Sequence, residues 1–92
     1  MIRSWRHKGL RELFATGRSR RVRADLQIRA LLVLDALDAA TKSSDVNLPG
    51  FDFHRLRGDR PPRYSVHVNG PWCITFEFED SEVHRVDLEQ YH

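Results

Sequence analysis

A single cysteine, Cys73, excludes an internal disulfide framework and any zinc module built on cysteine pairs, so apolar packing and backbone hydrogen bonds must hold the fold. No apolar run approaches the roughly 18–20 residues that cross a bilayer, and the start, MIRSWRHKGL, is charged where a signal peptide needs an apolar stretch. These shortages imply a cytoplasmic protein that does not engage the membrane. Also missing are a Gly-rich phosphate loop, an HExxH pair and a nucleophile elbow, which removes P-loop, zinc-protease and hydrolase-elbow chemistry. With 92 residues, of which 40% are hydrophobic and 30% charged, one domain covering 1–92 with a modest core is expected.

Lysine is scarce as well: two Lys stand against thirteen Arg. The net charge of +2 hides a strong asymmetry, because residues 1–29 carry nine basic side chains against Glu12 and Asp25, whereas residues 77–92 carry six acids against Arg85. Arginine offers a planar fork of donors that matches phosphate, so the bias points to an anionic partner. A GC-rich coding bias produces the same composition, and clustering in space has to decide between them.

Met1 to Trp5 reads as a short strand. HKGLRELFATG follows as a short helix, with Leu10, Leu13 and Phe14 at helical spacing and Gly17 as its stop. RSRRVR, residues 18–23, holds four Arg and little apolar anchorage and reads as a mobile basic loop. A second helix is expected from about Ala24 to Thr41, with Leu26, Ala30, Val33, Leu34 and Leu37 as its buried stripe, widened by Leu31 and Leu32. KSSDVNLPG then marks a change from helix to loop.

Beyond that loop the hydrophobic period becomes two. YSVHVNGPWCITFEF places Asn69-Gly70 between alternating arms, a hairpin signal that Pro71 could widen. Trp72, Ile74, Phe76 and Phe78 point one way, and Cys73, Thr75, Glu77 and Glu79 the other. Glu79 to Glu82 supplies a second turn into a last strand, VHRVDLEQYH, with Val86 and Leu88 facing the core. Helices followed by an antiparallel meander make an α+β two-layer domain. The polar face of its sheet should collect His67, Cys73, Thr75, Arg85 and Asp87, with His54 and His92 at strand ends or edges.

The stretch HRLRGDR, from His54 to Arg60, and the terminal Tyr91-His92 carry the chemical signal. Imidazole titrates near pH 6.5, so two of them flanking a phosphodiester can act as base and acid, and Arg57 or Arg63 can neutralise the developing phosphorane. That set suits RNA cleavage by the 2′-hydroxyl. His7, His67 and His84 read as structural, and a terminal Tyr-His is equally a frayed end. His54, His92, Asp87 and Glu89 lack the spacing of a specific metal site, so no metal or cofactor is expected. Cys73 reads as a small half-buried thiol rather than a nucleophile.

In order, MIRSWRHKGLRELFATG, a helix ending LDALDAAT, LPG, HRLRGDRPPRYSVHVNGPWCITFEF and a final EQYH resemble the HigB-like toxins of the RelE/ParE superfamily over essentially the whole chain. The resemblance rests on G-D-R, S-x-x-V, W-x-I-T-F and the terminal Y-H. It implies a RelE/ParE-like fold with two N-terminal helices on a small, mainly antiparallel sheet. It further implies a ribosome-dependent mRNA endonuclease encoded beside a helix-turn-helix, HigA-like antitoxin, with operator DNA reached only through that antitoxin. By the same resemblance, His54 and His92 fall on acid/base positions, Tyr91 on the penultimate aromatic and Arg57 on a basic catalytic position.

Arg60 and Arg63 are expected to meet RNA phosphate, and Arg18, Arg20 and Arg21 to meet ribosomal RNA or antitoxin. Two departures stand out: Cys73 occupies a place where the family has an Arg on the scissile phosphate, and Gln90 one that is often acidic. Either Arg63 or Arg85 covers the phosphate, or the toxin is impaired. A ParE-like gyrase inhibitor, a toxin fold retaining only antitoxin binding and operator regulation, and a structural adaptor are the alternatives.

Overall fold

A computed structural model describes residues 1–58 and 60–90. Helix α1 spans Lys8–Thr16 and α2 spans Gln27–Ala39, followed by strands β1 His54–Leu56, β2 Arg63–Asn69, β3 Trp72–Glu79 and β4 Glu82–Gln90. The strands form one antiparallel sheet in the order β1-β2-β3-β4. No helix among the described residues is long and apolar enough to cross a membrane.

His7 is structural in a definite way, because its Nδ1 accepts the Leu10 N–H at 3.0 Å and caps α1. Gly17 ends that helix by donating its N–H to the Leu13 carbonyl at 2.8 Å. Helix α2 is entered through a short 3-10 turn at Ala24–Leu26 and stops at Ala39, two residues before the expected end. Asp45 explains the stop: its carboxylate accepts the Thr41 and Lys42 N–H groups, which also hold it below the usual carboxylate range.

Ala30, Val33, Leu34 and Leu37 of α2 pack with Leu10 and Leu13 of α1 against Val66, Val68, Ile74, Phe76, Val83 and Val86 of the sheet, all essentially solvent-free. Each Val, Leu, Ile or Phe among them contributes about 1.5–3 kcal/mol by leaving water. One expectation holds only in part. Leu31 widens the stripe as expected, being partly buried against the core, but Leu32 lies on the outer face and is 52% exposed, beside Ile28 at 78%.

The segment from 18 to 23 is not an unanchored loop. Val22 is buried at 2% exposure, and the Gln27 amide donates to the Ser19 and Val22 carbonyls. Gly9 of α1 lies so close that an added Cβ would meet the Arg21 Cβ at 2.6 Å. One valine and one glycine contact, too sparse to register as periodicity, fix its course.

The N-terminal strand is reduced to two parallel bridges, Ile2 to Val83 and Trp5 to Val86, along the free edge of β4. Arg3 reinforces them through Glu82 at 2.9 Å, and that hydrogen bond holds the Glu82 carboxyl low. The β2–β3 hairpin turns on Gly70-Pro71, one residue later than Asn69-Gly70, because Asn69 pairs with Trp72 and a bulge lies between His67 and Asn69. Gly70 supplies the positive φ of 55°, and the ring of Pro71 fixes a negative one after it.

Candidate functional site

Side chains alternate across the sheet, so the face turned away from the helices carries Arg63, Ser65 and His67 of β2, Cys73, Thr75 and Glu77 of β3, and Asp87 and Glu89 of β4. His54 joins them from the edge strand, where it pairs with Ser65. Strand β1 is only three residues long, and it places His54 on a sheet edge, one of the two positions expected for it, although the sequence did not delimit the strand.

The segment entering β1 is held from several directions. The Arg29 guanidinium lies 4.0 Å over the Phe51 ring while donating to the Gly50 and Val68 carbonyls, and the His67 N–H donates to the Phe51 carbonyl at 2.6 Å. Phe53 stacks on Tyr64 at 5.4 Å between ring centroids. With Phe53 turned inward, Asp52 and His54 both point outward, and His54 Nε2 lies 3.0 Å from Asp52 Oδ1.

Asp52, His54, Ser65, His67, Gly70, Pro71 and Cys73 line a cavity of about 140 Å³. The His54 side chain is 58% exposed at its rim, whereas Cys73 is 7% exposed and more deeply buried than the sequence suggested. His67 bonds the Gly70 carbonyl through Nε2 at 2.7 Å, a structural role inside the hairpin that still leaves its ring on the cavity wall. Burial pushes the Cys73 thiol up, and the negative charges of Asp52 and Glu89 push it further. A thiol kept protonated in this way does not act as a nucleophile.

The cations expected to compensate for the missing Arg are already engaged. Arg63 Nη2 lies 3.2 Å from Glu89 Oε2, the same oxygen that accepts the Thr75 hydroxyl. Arg85, at a bulge in β4 with φ 53°, lies 3.6 Å from Glu77. Arg57 and Arg60 are exposed in the connection between β1 and β2 and do not line the cavity. Tyr91 and His92 lie outside the described residues. Among the described residues, no three His, Cys, Asp or Glu side chains converge as a metal site.

Arg18, Arg20, Arg21 and Arg23 line a separate, open cleft of about 1020 Å³ with Glu12, Thr16 and Gln27. Arg23 is paired there with Asp25 at 2.9 Å. Sequence reasoning missed Asp52, which precedes β1 at a positive φ of 48° and so lies outside the alternation that strand spacing can reveal.

Two comparisons, each over nearly all of the chain, identify its family. Residues 3–92 match the family model of the RelE-like toxin of type II toxin-antitoxin system HigB. The chain is 37% identical over 92 residues to the Endoribonuclease HigB of Proteus vulgaris, covering 100% of both sequences. With two N-terminal helices packed on a four-stranded antiparallel sheet, the chain belongs to the HigB-like toxins of type II toxin-antitoxin systems.

Proposed function

We propose that this toxin is an endoribonuclease that cleaves mRNA on the ribosome, in the cytoplasm, and is neutralised by a HigA-like helix-turn-helix antitoxin through which it reaches operator DNA. The observation that carries the reading is an exposed imidazole, His54, at the rim of a cavity on the polar face of the sheet. The 2′-hydroxyl of the substrate attacks the adjacent phosphorus as one histidine removes its proton. The P–O5′ bond breaks, a second group protonates the leaving 5′-oxygen, and a 2′,3′-cyclic phosphate remains. His54 and His92 are the proton-transfer pair, Tyr91 belongs to the same catalytic set, and the exposed Arg57 and Arg60 supply positive charge to the phosphate, Arg63 being paired with Glu89.

Primer extension on transcripts from induced cells should show discrete new 5′ ends inside translated regions. Intact transcripts together with trapped gyrase would transfer the chain to the gyrase-directed branch of the superfamily. One observation favours a slower enzyme: Arg63 and Arg85 both neutralise carboxylates, so neither is a free cation at the Cys73 position.

The arginine-lined cleft suits ribosomal RNA, and it draws on side chains other than those around His54. Replacing Arg18, Arg20, Arg21 and Arg23 with Ser should weaken ribosome association and lower the slope of log affinity on log salt by about two to three, since each phosphate contact contributes roughly 0.7–0.9 and Arg23 is already paired. An unchanged slope would remove nucleic acid from this cleft and leave the antitoxin as its partner.

A further inference from the structure

We propose that Asp52 is the positioning residue of His54, fixing the imidazole by accepting a hydrogen bond from Nε2–H and leaving Nδ1 as the proton acceptor. The inference rests on the reading of His54 as a proton-transfer group and assigns the residue that orients it. Geometry supports it from both sides. Asp52 Oδ1 and His54 Nε2 are 3.0 Å apart, a hydrogen-bonding distance.

An exposed ion pair is ordinarily weak, because two mobile side chains must be ordered to form it. Here the backbone has done much of that ordering. Asp52 sits at φ 48°, in the left-handed region that Asp and Asn tolerate better than most residues. The residues before it are held by Arg29 through the Gly50 carbonyl and the Phe51 ring. The Phe51 carbonyl is also tied to the His67 N–H, and Phe53 after it is stacked on Tyr64. The carboxylate is thereby kept at the cavity wall beside the ring, where its charge also reaches the Cys73 thiol on β3.

In a neutral imidazole one nitrogen donates and the other accepts, so an acceptor at Nε2 determines which atom is left to take a proton. Besides Asp52, the cavity sets His67 from β2 and Cys73 from β3 around the His54 ring. His67 is occupied by the Gly70 carbonyl and burial pushes the Cys73 thiol up, so among the described residues lining the cavity Asp52 is the one that offers an anionic acceptor. Arg63 and Glu89 on the same face are bonded to each other.

The test uses the full chain with ribosomes and a defined mRNA. Asp52→Gly removes the carboxylate while accepting the left-handed backbone, and should lower kcat about ten- to a hundredfold with KM unchanged, up to the roughly 10²-fold that a misplacement of about 1 Å costs. Asp52→Asn, whose amide oxygen accepts the same hydrogen bond, should recover most of the loss. In a His54→Ala background Asp52→Gly should have no further effect, because a residue that acts through an imidazole has nothing left to orient.

Parent-level kcat in Asp52→Gly would overturn the assignment. So would an undiminished factor in the His54→Ala background, or an Asp52→Asn as slow as Asp52→Gly, since each assigns Asp52 a role of its own. Parent-level cleavage by His54→Ala would be a different failure, overturning the reading of the site on which the assignment stands.

Discussion

His54→Ala should reduce mRNA cleavage by about 10²–10⁴-fold, the usual contribution of one positioned acid or base, with little loss of stability. The side chain is 58% exposed and its ring contacts are a carboxylate and a shallow cavity rather than the core, so truncation leaves no buried void. Deleting only His92 should have a comparable effect on cleavage while antitoxin affinity and thermal midpoint change little. Terminal residues ordinarily tolerate removal, which makes this deletion the more discriminating of the two. If the two histidines serve one phosphodiester, the double variant should be scarcely slower than either single one. Full cleavage by the chain lacking His92 would leave His54 and Tyr91 as the remaining proton-transfer groups, and a gyrase-directed or adaptor protein should be indifferent to both changes.

Much of this architecture was legible because its signals are periodic. Alternation over Trp72–Glu79 placed Phe76 in the core and Cys73 and Thr75 on the opposite face, as found. The stripe of Leu26, Ala30, Val33, Leu34 and Leu37 identified the main helix, and Gly17 its predecessor's end. What escaped was carried by single contacts. Val22 anchors the basic segment with one side chain, and Leu32 is exposed because the sheet covers one stripe of α2 and nothing among the described residues covers the opposite side. A one-residue bulge at His67–Asn69 moved the hairpin turn by one position, a local event with no periodic trace.

The candidate site divides in the same way. His54 was singled out from its imidazole chemistry and then from the resemblance, Cys73 from strand alternation and as a departure from the family pattern, and the fold sets both on one cavity. The pairing of β1 with β2 accomplishes this, and a three-residue edge strand is too short to announce itself in sequence. Charge was legible only as a total. The sequence count left Arg63 and Arg85 as substitutes for the Arg missing at 73, whereas the structure spends the first on Glu89 and the second on Glu77.

That distribution determines what Cys73→Arg should do. A guanidinium introduced at 73 would emerge between Asp52 and Glu89, the two carboxylates whose negative potential already raises the thiol. It would therefore enter a site that favours a cation, and the adjoining cavity of about 140 Å³ gives the longer side chain somewhere to go. Competition for Glu89 would loosen Arg63, so the polar face would gain one phosphate fork directly and a second by release. Cleavage should rise about ten- to a hundredfold, within the range by which a positioned charge stabilises a phosphorane, and growth arrest on induction should deepen accordingly. Cys73→Lys, with a point charge in place of the planar fork, should recover less. Unchanged activity in Cys73→Arg, with the fold intact and antitoxin still bound, would mean that Arg57 or Arg60 from the β1–β2 connection already supplies the missing charge.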